Sequence, residues 1–150
     1  MRFDKLTTKF QQAFSDAQSI AVGQDNPTIE PQHLLLALLQ QEDGSTLSLL
    51  QRSGVNTAAL LENLRQQVQR LPKVENSAGE VTISRSLNNL LNLSDKEAQK
   101  HNDQFIASEM FLLAALQDKG EVSILLKQHG ASYAALSQAI HAVRGGEQVN

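Results

Sequence analysis

The chain has no cysteine and no tryptophan, a single tyrosine, and only three prolines, at 27, 31 and 72. Without thiols there are no disulfides, no thiolate nucleophile and no cysteine-ligated zinc, which fits a reducing compartment. No apolar run approaches the roughly 20 residues that a membrane-spanning helix needs. "MRFDKLTTKFQQ" has no apolar core of the kind a secretory signal carries. The net charge is −3, and its scatter leaves no basic stripe for nucleic acid. Catalytic motifs are missing too. There is no G-x-x-x-x-G-K-[ST], no G-x-G-x-x-G and no G-x-S-x-G. Histidines 33, 101, 129 and 141 show no metal-ligand spacing, and no nucleophile stands beside a base. These absences predict a soluble cytoplasmic domain that is not an enzyme, holds no cofactor or metal, and has neither nucleic acid nor membrane as a partner.

Leucine and alanine are abundant. Both are strong helix formers, so the composition points to an all-α fold. A chain of 150 residues suits one domain that buries about 68–70% of its unfolded surface. Thr7 is placed to cap a first helix with Phe10, Ala13, Phe14, Ala17 and Ala21 on one face, stopping near Gly23. "IEPQHLLLALLQQ" restarts with Pro31 in the first turn and is apolar on nearly every face, which predicts a central, buried helix. A short helix from Ser45 to Gly54 follows, then one capped by Asn56 with Leu60, Leu64 and Val68 on its stripe. "LPKVENSAGEVTI", with Pro72 and Gly79, reads as a connector containing a short extended piece. Four more helices are expected after caps at Ser84, Ser108, the "DKG" turn and Ser132.

The two halves repeat. At an offset of 77, Thr7 meets Ser84, Phe10 meets Leu87, Ile29 meets Ile106 and Leu35 meets Leu112. Beyond the "DGS" and "KGE" turns the offset is 76, so Gly54 meets Gly130 and Leu60 meets Leu136. Two copies are too few for a solenoid. The expected architecture is a tandem repeat of two four-helix units packed about a pseudo-twofold axis, with "HLLLALL" and "MFLLAAL" between them. The expected boundaries are repeat one at about 1–70, a connector at 71–83, repeat two at about 84–144, and a flexible tail at 145–150.

Where the halves differ, function can sit. On a helical wheel Leu87, Leu90, Leu91, Ser94 and Ala98 lie within about 60° of one direction, with Leu93 about 120° away. Its counterpart is Asp16. Met110 replaces His33 and Phe105 replaces Thr28. These three extra apolar side chains predict an outward-facing interaction surface. Asp103 in "HNDQF" and Glu109 in the first turn of its helix have ordinary readings as a turn former and a partner of the helix dipole. Thr7 has one as a cap.

"MRFDKLTTKFQQAFSDAQSIAVGQDN", "IEPQHLLLALLQQ", "LNLSDKEAQKHNDQFIASEMFLLAALQDKG" and "AIHAVRGGEQVN" together make the chain resemble, over its whole length, the N-terminal repeat domain of the ClpB-type disaggregases. The resemblance implies a hexameric ATP-driven chaperone that extracts polypeptides from aggregates together with the DnaK system. ATP and magnesium would belong to ATPase modules outside these residues, and "RGGEQVN" would begin the linker to them. The isolated domain is expected to be a monomer that binds unfolded or aggregated polypeptides. The resemblance assigns conserved polar roles to Thr7, Asp103 and Glu109. It places an apolar groove on the fifth and sixth helices, at Leu93, Glu97 and Met110. Glu97 departs from the family, which often has an apolar residue there. Relatives of the ClpC type bind phosphorylated arginine with a glutamate in each repeat; here the two positions are Gln32 and Glu109, so a symmetric reader is not implied. The second reading is an adaptor-docking scaffold that uses charged surface.

Overall fold

Side-chain caps set the start of four helices. Thr7 Oγ1 accepts the Phe10 N–H at 3.3 Å and opens α1, Thr8–Gly23. Asn56 does the same for α4, Thr57–Arg70, Ser84 for α5, Arg85–Lys100, and Ser132 for α8, Tyr133–Arg144. Each such cap satisfies one of the orphan donors of a first turn and contributes about 1 kcal/mol. The remaining helices are α2, Pro31–Gln40, α3, Thr46–Arg52, α6, Ser108–Gln117, and α7, Glu121–Gln128. A computed structural model describes residues 2–75 and 80–145. The expected connector glycine, Gly79, and the tail beyond Gly145 lie outside the described residues.

One local expectation needs correction. Ser108 does not cap α6. Ala107 is the cap residue and Ser108 is already helical, with no side-chain cap bond. The helix starts early because the preceding residue, Ile106, is held extended by backbone bonds to Lys5 and Thr7. α1 ends at Gly23, as expected, but the left-handed turn residue after it is not a glycine. Asp25 takes the left-handed conformation at φ 57°, and its counterpart Asn102 does so at φ 59°. Asp and Asn tolerate that region better than other non-glycine residues.

The repeats interlock by exchange. Strand β1, Thr28–Ile29, pairs in parallel with β2, Thr82–Ile83, so the turn before α2 is tied to the segment before α5. The matching bridge joins Leu6, before α1, to Ile106, before α6. The two pairings are related by the repeat: Leu6 corresponds to Ile83 and Ile106 to Ile29, 77 residues apart. Thr7 N–H donates to Ile106 O at 3.0 Å and Ser84 N–H to Ile29 O at 3.1 Å. Helix contacts follow the same symmetry. α3 packs on α8 and α7 on α4, while α2 meets α5. The Phe10 ring of α1 lies 6.2 Å from Phe111 of α6. Helices α2 and α6 are buried along almost their whole length, as their all-round apolar sequences require.

A second crossing lies on the axis. Gly54 and Gly130 occupy equivalent turns at φ 93° and 101°, a region that L side chains rarely adopt. A Cβ built on Gly130 would sit 3.1 Å from Gly54 O. Nearby, Asn56 N–H donates to His129 O across the repeats. The conformational cost and the tight contact add at Gly130. Gly130→Ala is therefore expected to lower unfolding free energy by about 1–3 kcal/mol in urea denaturation. Gly23→Ala, at a helical position with open space around it, should be neutral or stabilising by up to about 1 kcal/mol.

Candidate functional site

The exchange places the amino-terminal segment between α1 and the turn joining α5 to α6. Phe3 stacks on Phe14 of α1 with ring centroids 4.9 Å apart. Lys5 Nζ pairs with Asp95 Oδ1 of α5 at 3.2 Å. Leu6 bonds to the Ile106 strand, and the next residue back, Phe105, is 40% exposed. Leu93, two residues from Asp95, is half-buried against the core. Phe3, Leu6 and Phe14 also line a shallow cleft of about 200 Å³. The apolar surface at this corner thus comes from Phe105, Phe3 and the outer part of Leu93.

Met110 does not join them. It is 0% exposed, which overturns the expectation that it faces outward. The physical reason is that α6 is covered on every side, so no position in its first turn after Glu109 has a solvent-facing direction. Glu97, expected in the groove, is likewise buried. Its Oε2 accepts the Tyr133 hydroxyl at 2.8 Å and its Oε1 pairs with Lys100 Nζ at 3.2 Å. Burial, and then the Glu97 carboxylate, push the Tyr133 hydroxyl up to about 12. In repeat one the equivalent positions are Ile20 and Thr57, so a polar clasp between α5 and α8 stands where the first copy has no such pair.

Asp103 and Glu109 are brought together by a residue that the sequence reading passed over. Arg144 Nη1 donates to both Asp103 oxygens at 3.1 and 2.9 Å. Its Nε and Nη2 donate to Glu109 Oε1 at 3.2 and 2.7 Å. The side chains are 12%, 0% and 14% exposed for Arg144, Asp103 and Glu109. Burial works against the guanidinium charge, but Glu109 and then Asp103 outweigh it, and the Arg144 pKa lies above its ordinary value. Forked, charge-assisted bonds of this kind are about twice as strong as neutral ones. A signal was available: at the 76-residue offset Arg144 falls on Val68, a buried core position. Thr7 is half-buried and works as a helix cap and backbone tie.

Repeat one performs the corresponding task without charge. His33 is fully buried. Its Nδ1 accepts the Glu30 N–H at 2.9 Å, so Nε2 carries the proton and donates to Asn26 Oδ1 at 2.8 Å. Asn26 Nδ2 in turn donates to Pro72 O at 2.9 Å, holding the chain that leaves α4. Asn26 is the counterpart of Asp103, and His33 of Met110. Burial lowers the His33 pKa, with Glu30 opposing it more weakly. Among the described residues no group of three or more His, Asp or Glu is placed to hold a metal ion, and no helix is long and apolar enough to cross a membrane.

Residues 5–129 match the Clp repeat (R) N-terminal domain family. The chain is 48% identical over 150 residues to the chaperone protein ClpB of Pseudomonas putida, and 47% identical over 150 residues to that of Vibrio cholerae. Each alignment covers all of this chain and 18% of the relative. Among solved structures, the Hsp104 N-terminal domain from Candida albicans superposes with a TM-score of 0.84 at 20% identity, covering 97% of this chain and 95% of that one. The N-terminal domain of the ClpV1 ATPase from Escherichia coli gives 0.78 at 22% identity, covering 95% and 87%. At those identities the superpositions establish the fold alone.

The polar clasps yield two predictions. Tyr133→Phe removes a donor from the buried Glu97 and should cost about 1–3 kcal/mol of unfolding free energy; an unchanged urea midpoint would refute it. For His33, the lowered folded pKa means that the unfolded chain takes up the proton first. Its contribution is complete above the unfolded pKa of about 6.5 and is lost as pH falls from there towards the folded value. Urea midpoints measured from pH 7.5 to 5 should fall, and His33→Gln should flatten that slope.

Proposed function

Because the chain belongs to the Clp repeat N-terminal domain family, we propose that it is the non-catalytic substrate-docking domain of an ATP-dependent disaggregase, capturing exposed apolar segments of unfolded or aggregated polypeptides. The observation that carries this reading is the apolar corner peculiar to repeat two. Phe105 stands exposed where repeat one has Thr28, and the half-buried Leu93 where it has Asp16. Phe3 on Phe14 extends the corner on the other side of the amino-terminal segment.

The chemistry favours weak, exchangeable capture. Burial returns about 25 cal/mol per Å², and two or three partly exposed side chains leave little surplus after ordering costs. In the working assembly we infer a homohexamer acting with the DnaK system, in which six tethered copies multiply a weak contact on a large aggregate. ATP and magnesium would be used by modules beyond these residues. We place the folded domain at 1–144, with residues from 145 onward leading towards those modules, and the protein in the cytoplasm. The separated domain would then be a monomer. Thr7, Asp103 and Glu109 support the corner from within. Thr7 and the Asp103–Arg144–Glu109 cluster hold the strand and turn on which Phe105 is mounted, and do not reach for the client. The same engagement of Asp103 and Glu109 by Arg144 weighs against adaptor docking through those acids.

Titrating the isotope-labelled domain with a chemically unfolded client tests the reading. Resonance shifts should cluster at residues 3–6, 93 and 105, with little dependence on salt between 50 and about 300 mM. Phe105→Asp, at an exposed position, should weaken binding about five- to tenfold while leaving the fold intact. Shifts confined to other surfaces, or binding abolished by salt, would overturn apolar capture and favour a charged docking face.

A further inference from the structure

Among the described residues, the last turn of α8 is held by the ion pairs of Arg144. Leu136, Ala139 and Ile140 bury earlier turns, but beyond Ile140 residues 141–143 and Gly145 are exposed. Only Arg144 reaches inward, into the Asp103 and Glu109 carboxylates. Gly145 follows at φ 59°, a left-handed cap whose N–H donates to His141 O at 3.0 Å. Repeat one is built differently at the same place. Val68 buries apolar surface where Arg144 stands, and the departing chain is tied by Asn26 Nδ2–H to Pro72 O, Val74 N–H to Asp25 O and the exposed Lys73 Nζ to Gln24 Oε1.

We propose that Arg144 is a latch: it docks the final turn of α8 onto the α5–α6 turn, and its release frees that turn without unfolding the domain. An apolar side chain in this place would be part of the core and could leave only with it. A guanidinium held between two carboxylates at the margin of the fold has a solvated alternative. The docked and free states therefore differ in the Arg144 ion pairs and in the solvation of the three charged side chains, while Leu136, Ala139 and Ile140 stay buried in both. With the latch closed, the end of α8 is held beside Asp103, two residues from Phe105. With it open, the departure point moves back towards Ile140. The inference concerns the exit of the chain and stands whether or not Phe105 docks a client.

Amide hydrogen exchange on the whole chain, followed by NMR, reads both states. In Arg144→Ala the amides of Arg144 and Gly145 should exchange faster by about tenfold or more, while those of α1 to α7 and of α8 through Ile140 keep their rates. The Asp103→Asn, Glu109→Gln double variant should accelerate the same two amides. Arg144→Lys should fall between, since an ammonium cannot make the forked contact. Unchanged rates at Gly145 in Arg144→Ala would overturn the latch. So would loss of the fold, or acceleration spread evenly over α5 to α8, because either makes Arg144 a support of the core.

Discussion

Everything in this domain depends on the reciprocal lending of an extended residue between repeats. Leu6 goes to the turn before α6, and Ile83 goes to the turn before α2. Neither repeat could bury its central helix alone, because α2 and α6 are apolar around their circumference and one four-helix unit covers only part of a cylinder. The exchange supplies the missing cover. It also fixes the angle at which α1 and α5 begin, since Thr7 and Ser84 each cap a helix through the side chain and tie the backbone to the other repeat. One residue thus starts a helix and joins the halves.

The scaffold is written twice, and one of the places where the two copies differ is the turn before the central helix. In each repeat that turn holds the chain leaving the last helix. Repeat one does so through a neutral relay, His33 to Asn26 to Pro72. Repeat two replaces the relay with Asp103, Glu109 and Arg144. The change explains why a methionine can stand where the histidine was: once an arginine reaches Asp103, the imidazole has no partner to orient, and an unbranched apolar side chain fills the buried space. Both solutions satisfy the buried polar groups. They differ in that the first ties the backbone of the segment after α4, and the second ties a side chain in the last turn of α8.

The fold was legible because it is written in local chemistry. Caps, the proline at the start of α2, the two glycine turns and the 77-residue register each have a short-range physical cause, and each helix appears where those causes place it. Leu35 and Leu112 identified themselves as core by sitting in helices with no polar face. The site was less legible because a helical wheel describes one helix and not what covers it. Leu93 lies off the stripe of α5 and is still half-buried. Met110 differs from His33 yet is fully buried, because a difference in identity is no measure of exposure. Glu97 and Tyr133 are far apart in sequence and meet only through the packing of α5 on the start of α8. Arg144 did carry a sequence signal, a charge at the register of a core valine, but its partners became apparent only with the turn in place.

The division of labour between Phe105 and Asp103 follows from their two-residue separation in an extended turn. The chain there is bonded on one side to Lys5 and Thr7 through Ile106 and on the other to α8 through Asp103. A side chain between two such anchors cannot retreat into the core, because the backbone that carries it is not free to rotate. Its exposure is enforced. An apolar ring that the fold could have covered would say little about function. Phe105, 40% exposed between two stretches anchored by backbone bonds and ion pairs, is kept partly in water by the backbone that carries it.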